Sequence, residues 1–548
     1  MDISEAVVEF LGDHGIDTVF GIPGTQTLPL NKSLEASEEI AYVMARHETA
    51  LSHQAWGYGQ SSDRMAATLV VPGPGDMNAM NGLKNALNDC TPLLHLSIET
   101  DPGVRGGDGI HETPHDTYDN VVKENILVQS PEATLAALAD AISVARTPPE
   151  GPVRVGIPRS FLTVSADRAA EFGEIEQSGE RALPEDAILE LASRLDEAAS
   201  PVIVAGGGVR NAGAEAALRT VAETLSVPVF VTVKGKGVFP EDHDLYAGVF
   251  WTGMSDAVRD ELAAADTTFA IGSDLDAVTT NRWQSALPNL LHVTLNRDDI
   301  GGANQGYDPA FSLIADANTV LERLSTRLQG GNEGGSARAA RVRDAEESRI
   351  QTLRESSTHP LNSIQVLDVV RDCAPRETIV TADSGGSRLW TVVTFDVYES
   401  QSYVNPGSWA SMGTGLPAAI GAKVANPDQP VISIIGDGGL MMCIHELHTA
   451  IAEDIGVITV VLNNNDYAII SEGGVDEFGI EERTYGWAEH PISFATVAEG
   501  MGVDGTVAET PDEISNAVDE ALASEEPALI EVPTDPREPQ AAAWMKGE

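Results

Sequence analysis

The residues Gly436-Asp437-Gly438-Gly439 follow the apolar run VISII (431–435) and precede a stretch in which Leu440, Ile444, Leu447 and Ala450 recur at helical spacing. A Gly-rich turn from strand into helix presents backbone N–H groups at a helix N-terminus, where anions bind. The next apolar run, VITVVL (457–462), ends in Asn463-Asn464-Asn465-Asp466. In a doubly wound sheet the C-terminal ends of neighbouring strands lie side by side, so Asp437 and Asn464 can meet there. A carboxylate, an amide carbonyl and a main-chain carbonyl are hard oxygen donors suited to Mg²⁺, which keeps its other positions for water and an anionic ligand. A GDG turn alone is an ordinary βα connection. The two strand ends together give it chemistry.

Other candidates stand outside that segment. Glu48 follows the run AYVMA (41–45) at the start of a helical stretch; there it either stabilises the helix dipole or serves as an acid–base group. His111 and His115 lie in the Gly-rich loop RGGDGIHETPHDTYD (105–119), where an imidazole can move protons near neutral pH or simply face water. AGGGVRNAGA (205–214) also follows a strand, but it lacks the G-x-G-x-x-G spacing of a dinucleotide loop.

The elements that must position these residues read as alternating helices and buried strands, which predicts an α/β fold of three doubly wound parallel-sheet domains. Strands are predicted at TVF, AYVMA, AATLVV, PLLHLSI and VRVGI, then PVIVA, VPVFVTV, TTFAIG and LHVTL, then TIVTAD, VISII, VITVVL and LIEVP. The corresponding domains are 1–165, 184–327 and 357–548, with linkers at 161–186 and 328–356; the second linker contains the polar run QGGNEGGSARAARVRDAEESR.

With 84 Asp and Glu against 33 Lys and Arg, the net charge is −51, which repels nucleic acid and anionic membrane surfaces. Such acidity is expected of a protein working in molar salt, where the screening length falls to about 3 Å. Three scattered cysteines indicate neither a disulfide framework nor a zinc site. The acidic start MDISEAVVEF is unlike a secretory signal, and no run approaches the roughly 20 apolar residues of a membrane span, so a soluble cytoplasmic protein is expected.

The string GDGGLMMCIHELHTAIAEDIGVITVVLNN resembles the thiamine diphosphate fingerprint. RHETALSHQAWGYG (46–59), VPGPGDMNAMNGLKNALNDCTPLLHLS (71–97) and GSWASMGTGLPAAIGAKVA (407–425) are similar to further segments of the acetolactate synthase, pyruvate oxidase and benzoylformate decarboxylase group. The resemblance covers almost the whole chain. It implies a pyrimidine-binding, a middle and a diphosphate-binding domain, with active sites shared between subunits of a homodimer or homotetramer. Thiamine diphosphate would be held through Mg²⁺ by Asp437, Asn464 and the Asp466 carbonyl. Glu48 would hydrogen-bond the pyrimidine and help the thiazolium lose its proton. Met412 would prop the cofactor into its bent form, and Pro23, Gly73, Asn78, Ser387, Gly436, Gly438, Gly439, Tyr467 and Ile470 would line or bind it.

The implied reaction is decarboxylation of a 2-oxo acid followed by condensation with a second one, as in acetolactate synthase and branched-chain amino acid biosynthesis. Lys123 in VVKEN fits the synthase lysine and supports this reading. One departure favours the alternative, simple decarboxylation: Tyr467-Ala468-Ile469-Ile470-Ser471-Glu472 lacks the synthase pocket pattern and looks more like the decarboxylase members. In addition, Asp383-Ser384-Gly385-Gly386-Ser387 stands where Gly-Gln-His is usual, and Ile110-His111 replaces a Phe-Gln pair. His111 is thereby a catalytic candidate. Synthases of the group carry FAD in the middle domain, but Asp274 stands where a basic residue is usual and would receive its phosphates poorly. A regulatory subunit leaves no mark in the sequence.

Overall fold

In the computed structural model, residues 1–104, 111–166, 183–303, 306–356, 359–480 and 485–541 are described. The chain forms three six-stranded parallel sheets flanked by helices. The first contains β1 (Thr18–Gly21), β2 (Ala41–Met44), β3 (Ala66–Val70), β4 (Leu93–Glu99), β5 (Glu124–Leu127) and β6 (Pro152–Pro158). The middle sheet contains β7 (Pro201–Ala205), β8 (Val229–Thr232), β9 (Tyr246–Phe250), β10 (Thr267–Ile271), β11 (Leu291–Thr294) and β12 (Phe311–Ile314). The third contains β13 (Ile379–Ala382), β14 (Tyr403–Val404), β15 (Val431–Gly436), β16 (Ile458–Asn463), β17 (Asp504–Val507) and β18 (Ala528–Pro533).

The outer sheets share one topology, β2-β1-β3-β4-β6-β5 and β14-β13-β15-β16-β18-β17, whereas the middle sheet runs β12-β11-β10-β7-β8-β9. Parallel pairing forces a crossover after each strand, and the helices that make it cover both faces. Every residue of β3, β4 and β6 is accordingly buried.

Two expectations change. β2 was expected to be buried, but it pairs only with β1 and forms the sheet edge, leaving Ala41 and Met44 exposed. The second expected linker contains a 20-residue helix, Gly335–Arg354. Its Ala339, Val342 and Ile350 join the core shared by the middle and third sheets, while Arg338 and Arg354 pair with Glu261 and Asp368. The charged majority of that segment hides a narrow apolar stripe. Of the first linker, residues 167–182 lie outside the described residues.

A close helix pair is central to the contact between the two outer units. The helix Glu48–Gln60 is capped by His47, whose Nδ1 accepts the Thr49 N–H at 3.1 Å, and it packs on the helix Gly415–Ala425. The approach is close: a Cβ on Gly421 would stand 1.9 Å from the Gln54 carbonyl oxygen, and one on Gly57 2.4 Å from that of Ala418. Leu51, Trp56 and Tyr58 therefore share a core with Leu416, Ile420, Leu440 and Leu447. Glu48 thus starts a helix fixed to the unit that carries Asp437. Among the described residues, no helix is long and apolar enough to cross a membrane.

Candidate active site

β15 and β16 are paired neighbours, with Gly436 opposite Leu462, so the turns that follow them stand side by side. Asp437 opens the helix Asp437–Cys443 with its side chain almost fully buried. Its Oδ1 accepts the Gly438 N–H at 2.8 Å, but Oδ2 is buried without a hydrogen-bond partner. Burial pushes this carboxyl up to about 7, against the pull of nearby N–H groups of Gly438 and Asn464–Asp466. Asn465 adopts a left-handed φ of 56°, which turns the chain so that the Asp466 N–H reaches Asn464 Oδ1 at 3.1 Å. The Asp466 carboxylate is occupied by Ser471 Oγ at 2.6 Å, so its main-chain carbonyl is what it can offer.

An orphaned buried carboxylate oxygen beside neutral oxygens fits a hard divalent cation. Among the described residues no group of three or more His, Cys, Asp or Glu could hold a metal. A cation here would therefore take one carboxylate, neutral oxygens and the oxygens of its ligand.

The turn after β15 is shaped by close contacts. A Cβ on Gly438 would fall 2.4 Å from the Tyr467 ring, and one on Gly439 2.7 Å from Asp383 Oδ2. Tyr467 in turn packs edge-on against Trp487 at 5.2 Å. Ile470 projects from the helix Ala468–Phe478 and is 59% exposed. Met412 is half-buried beside Gly413, whose N–H donates to both oxygens of the buried Asp383 at 3.1 and 3.0 Å. Ser387 is buried and already donates to the Asp383 carbonyl at 3.0 Å. Three residues earlier, the buried Ser384 hydroxyl has no partner and is free to donate to a ligand. The same Ser-Gly-Gly-Ser turn contained both, and nothing in its spacing separates them.

In the first unit, β2, β1 and β3 lie in that order, so Glu48, Pro23 and Gly73 emerge from adjacent strand ends. Glu48 Oε2 accepts the Asn78 amide at 3.0 Å, while Thr49 Oγ1 donates to the Asn78 carbonyl at 2.7 Å. Gly73 caps the helix Pro74–Asn88 at φ 68°, and a Cβ there would be 2.9 Å from the His111 Cα. A Cβ on Gly75 would be 3.6 Å from Glu48 Oε1, so His111 and Glu48 flank one turn. His111 Nδ1 meets the Gln26 amide at 3.1 Å, a partner the sequence did not suggest; when that amide donates, the ring proton sits on Nε2. His115 turns elsewhere, to Asn125. Ile110 lies outside the described residues.

Lys123, which the resemblance places as the synthase lysine, is engaged at a helix end. Its Nζ donates to the carbonyls of Val144 and Thr147 at 2.7 and 2.6 Å and so closes the C-terminus of the helix Thr134–Arg146. Its charge is used there. In the middle unit, Asp274 faces solvent in an acidic stretch with Asp276 and Asp299, a neighbourhood unfavourable to further negative charge. A cavity of about 1120 Å³ lies apart from these residues, between the first and middle units, lined by Gln60, Arg64, Arg146, Glu150 and Arg210.

Comparison with known proteins agrees with the three-unit fold. Three sequence profiles match in order: the thiamine pyrophosphate enzyme N-terminal TPP-binding domain over residues 1–121, the central domain over 188–324, and the C-terminal TPP-binding domain over 383–532. The acetolactate synthase isozyme 1 large subunit of Escherichia coli is 28% identical, over 98% of this chain and 94% of that protein. A probable 2-ketoarginine decarboxylase of Pseudomonas aeruginosa is 31% identical, over 91% of this chain and 88% of that one. The structure of the Rhodococcus jostii thiamine diphosphate-dependent 4-hydroxybenzoylformate decarboxylase superposes with a TM-score of 0.83 at 27% identity, covering 98% of this chain and 99% of that chain.

Proposed function

The chain belongs to the thiamine pyrophosphate enzymes, and we propose that it decarboxylates a 2-oxo acid and releases the product by protonation. The observation that carries the reading is the partnerless Asp437 Oδ2 at the turn after β15, beside Asn464, with Glu48 held by Asn78 in the other unit. When bound, thiamine diphosphate supplies the electron sink for breaking the carboxylate bond. Asp437, Asn464 and the Asp466 carbonyl would hold its Mg²⁺; the Gly438 and Gly439 N–H groups and the Ser384 hydroxyl would receive the diphosphate. Glu48 would hold a proton against the pyrimidine, and Met412 would support the rings. As in related enzymes, two copies of the chain would complete each site, Glu48 of one facing Asp437 of the other.

Protonation is favoured over condensation because His111 flanks the Glu48 turn with a proton available on Nε2, while Lys123 is committed to a helix end. Acetolactate synthase-like condensation of two 2-oxo acids is the second reading, supported by synthase relatives that match end to end. Incubation with Mg²⁺, thiamine diphosphate and a panel of 2-oxo acids, including pyruvate, decides between them by product identification. An aldehyde supports the first reading and an acetohydroxy acid the second; no turnover of any 2-oxo acid sinks both. We propose further that no flavin is needed, because Asp274 would oppose its phosphates. A purified protein with flavin absorbance would contradict that.

A further inference from the structure

Glu446 is a fully buried carboxylate that the proposed chemistry does not use. It starts the helix Glu446–Ala452, just beyond the helix that carries Asp437, yet every main-chain group it holds belongs to the other unit. Its Oε1 accepts the N–H groups of Arg46 at 3.0 Å and His47 at 3.1 Å, the two residues immediately before Glu48. Its Oε2 accepts the Gln54 amide at 2.9 Å, from the same helix as Glu48, and its own Thr449 hydroxyl at 2.7 Å. The Arg46 guanidinium turns away to His448 and does not close an ion pair; His445 Nε2 stands 3.4 Å from Oε1.

We propose that Glu446 is a positioning residue for Glu48: it fixes the start of the helix that presents Glu48, and it does so as a hydrogen-bond acceptor and not as a charge. Helix N-terminal N–H groups have no partner within their own helix. His47 covers that of Thr49 locally, and Glu446 covers the preceding pair from across the domain boundary. Glu48 is thereby referenced to the unit of its own chain that carries the cation ligands. A second detail bears on acceptor against charge: Gln54 Oε1 is buried with no partner. If Glu446 becomes Gln, the Gln54 amide can turn over and offer that oxygen to the new NH₂, while the Thr449 hydroxyl rotates to accept. The other oxygen stays in place for Arg46 and His47. Burial pushes the Glu446 carboxyl up to about 7, and a protonated acid would likewise keep one acceptor oxygen.

The inference rests on Glu48 being the acid–base group, and its test separates the two. Glu446→Gln removes the charge and keeps the acceptor; Glu446→Asp keeps the charge but is one methylene too short; Glu446→Ala removes both. Misplacement by about 1 Å at a reacting group costs up to about 100-fold. The expected result is kcat within about threefold of wild type for Glu446→Gln, with an unchanged pH profile, and a fall of about tenfold or more for Glu446→Asp and Glu446→Ala. Calorimetric uptake of Mg²⁺–thiamine diphosphate should change less than kcat in all three, because Asp437 and Asn464 are untouched. If Glu446→Ala fails to fold, the Gln and Asp pair decides. Greater activity in Glu446→Asp than in Glu446→Gln, or wild-type kcat in Glu446→Ala, overturns the proposal. Full activity in Glu48→Gln would instead overturn the reading beneath it.

Discussion

The two outer sheets share a topology but treat their buried carboxylates in opposite ways. In the first, Asp76 is fully buried and surrounded: Arg154 at 2.9 Å, His95 at 3.1 Å, Ser97 at 2.8 Å and Thr113 at 3.0 Å. Arg154 also pairs with Glu99 and lies over the Tyr118 ring. Although burial opposes ionisation, the His95 and Arg154 contacts hold the Asp76 carboxyl well below the usual range. In the third sheet, Asp383 and Asp437 are just as enclosed but meet backbone N–H groups and no cation, and burial pushes both up to about 7. A buried charge is tolerated when paired and costly when not. The first arrangement is a finished strut that anchors Thr113 beside Gly73. The second is short of positive charge on the side where a cation and an anionic ligand would enter.

The largest expected effect comes from Asp437→Asn. Uptake of Mg²⁺–thiamine diphosphate and turnover should both fall about 100-fold or more, about 2.7 kcal/mol, while the melting temperature of the cofactor-free protein does not fall, because an uncompensated charge is gone. A cofactor-free protein that melts much earlier would mean that Asp437 is a strut like Asp76. Arg154→Met should do the reverse: with Asp76 and Glu99 stranded, stability should drop by about 3–5 kcal/mol in denaturant titrations. A loss below about 1 kcal/mol would erase the contrast.

The pH response sharpens it further. Asp383 and Glu446 ionise near 7 in the folded protein against ordinary values of 3.8 and 4.5. Between those limits the folded state binds more protons than the unfolded one, so cofactor-free stability should fall as pH rises from about 5 to 7. Asp76 has the opposite sign: its contribution is complete above its ordinary 3.8 and is lost only as pH falls below it. Melts in molar KCl, which screens the surface charge, should therefore show a maximum on the acid side of neutrality; stability that climbs from pH 5 to 7 would contradict the assignment. The smallest effect is expected from Ser384→Ala, a several-fold loss of cofactor affinity with Ser387→Ala nearly silent; the reverse order would restore Ser387 as the phosphate donor.

What could be read from the sequence follows the same physics. Thirteen strands stood out as apolar runs, and twelve of them are interior strands covered on both faces. β5, β9, β12, β14 and β17 escaped notice, and all are sheet edges: ENIL and DGTV are half-polar, and YAGVF is broken by glycine. β2, the sixth edge, carries the apolar run AYVMA and is nonetheless partly exposed. The juxtaposition of Asp437 and Asn464 was legible because one continuous strand–turn–helix–strand segment brings them together, whereas Glu48 was singled out only by the resemblance of its segment. The contacts of Lys123 and Glu446 were not legible. Their roles depend on where a side chain reaches across segments distant in sequence, such as Glu446 to Arg46, and no spacing rule encodes that.

The central claim is that Asp437 completes a cation site through which the cofactor is held. Calorimetric titration of thiamine diphosphate into wild type and Asp437→Asn, with and without Mg²⁺, tests it directly. Saturable uptake by wild type only when Mg²⁺ is present, and little by the variant, is the result expected. Equal uptake without a divalent cation, or by the variant, would contradict it.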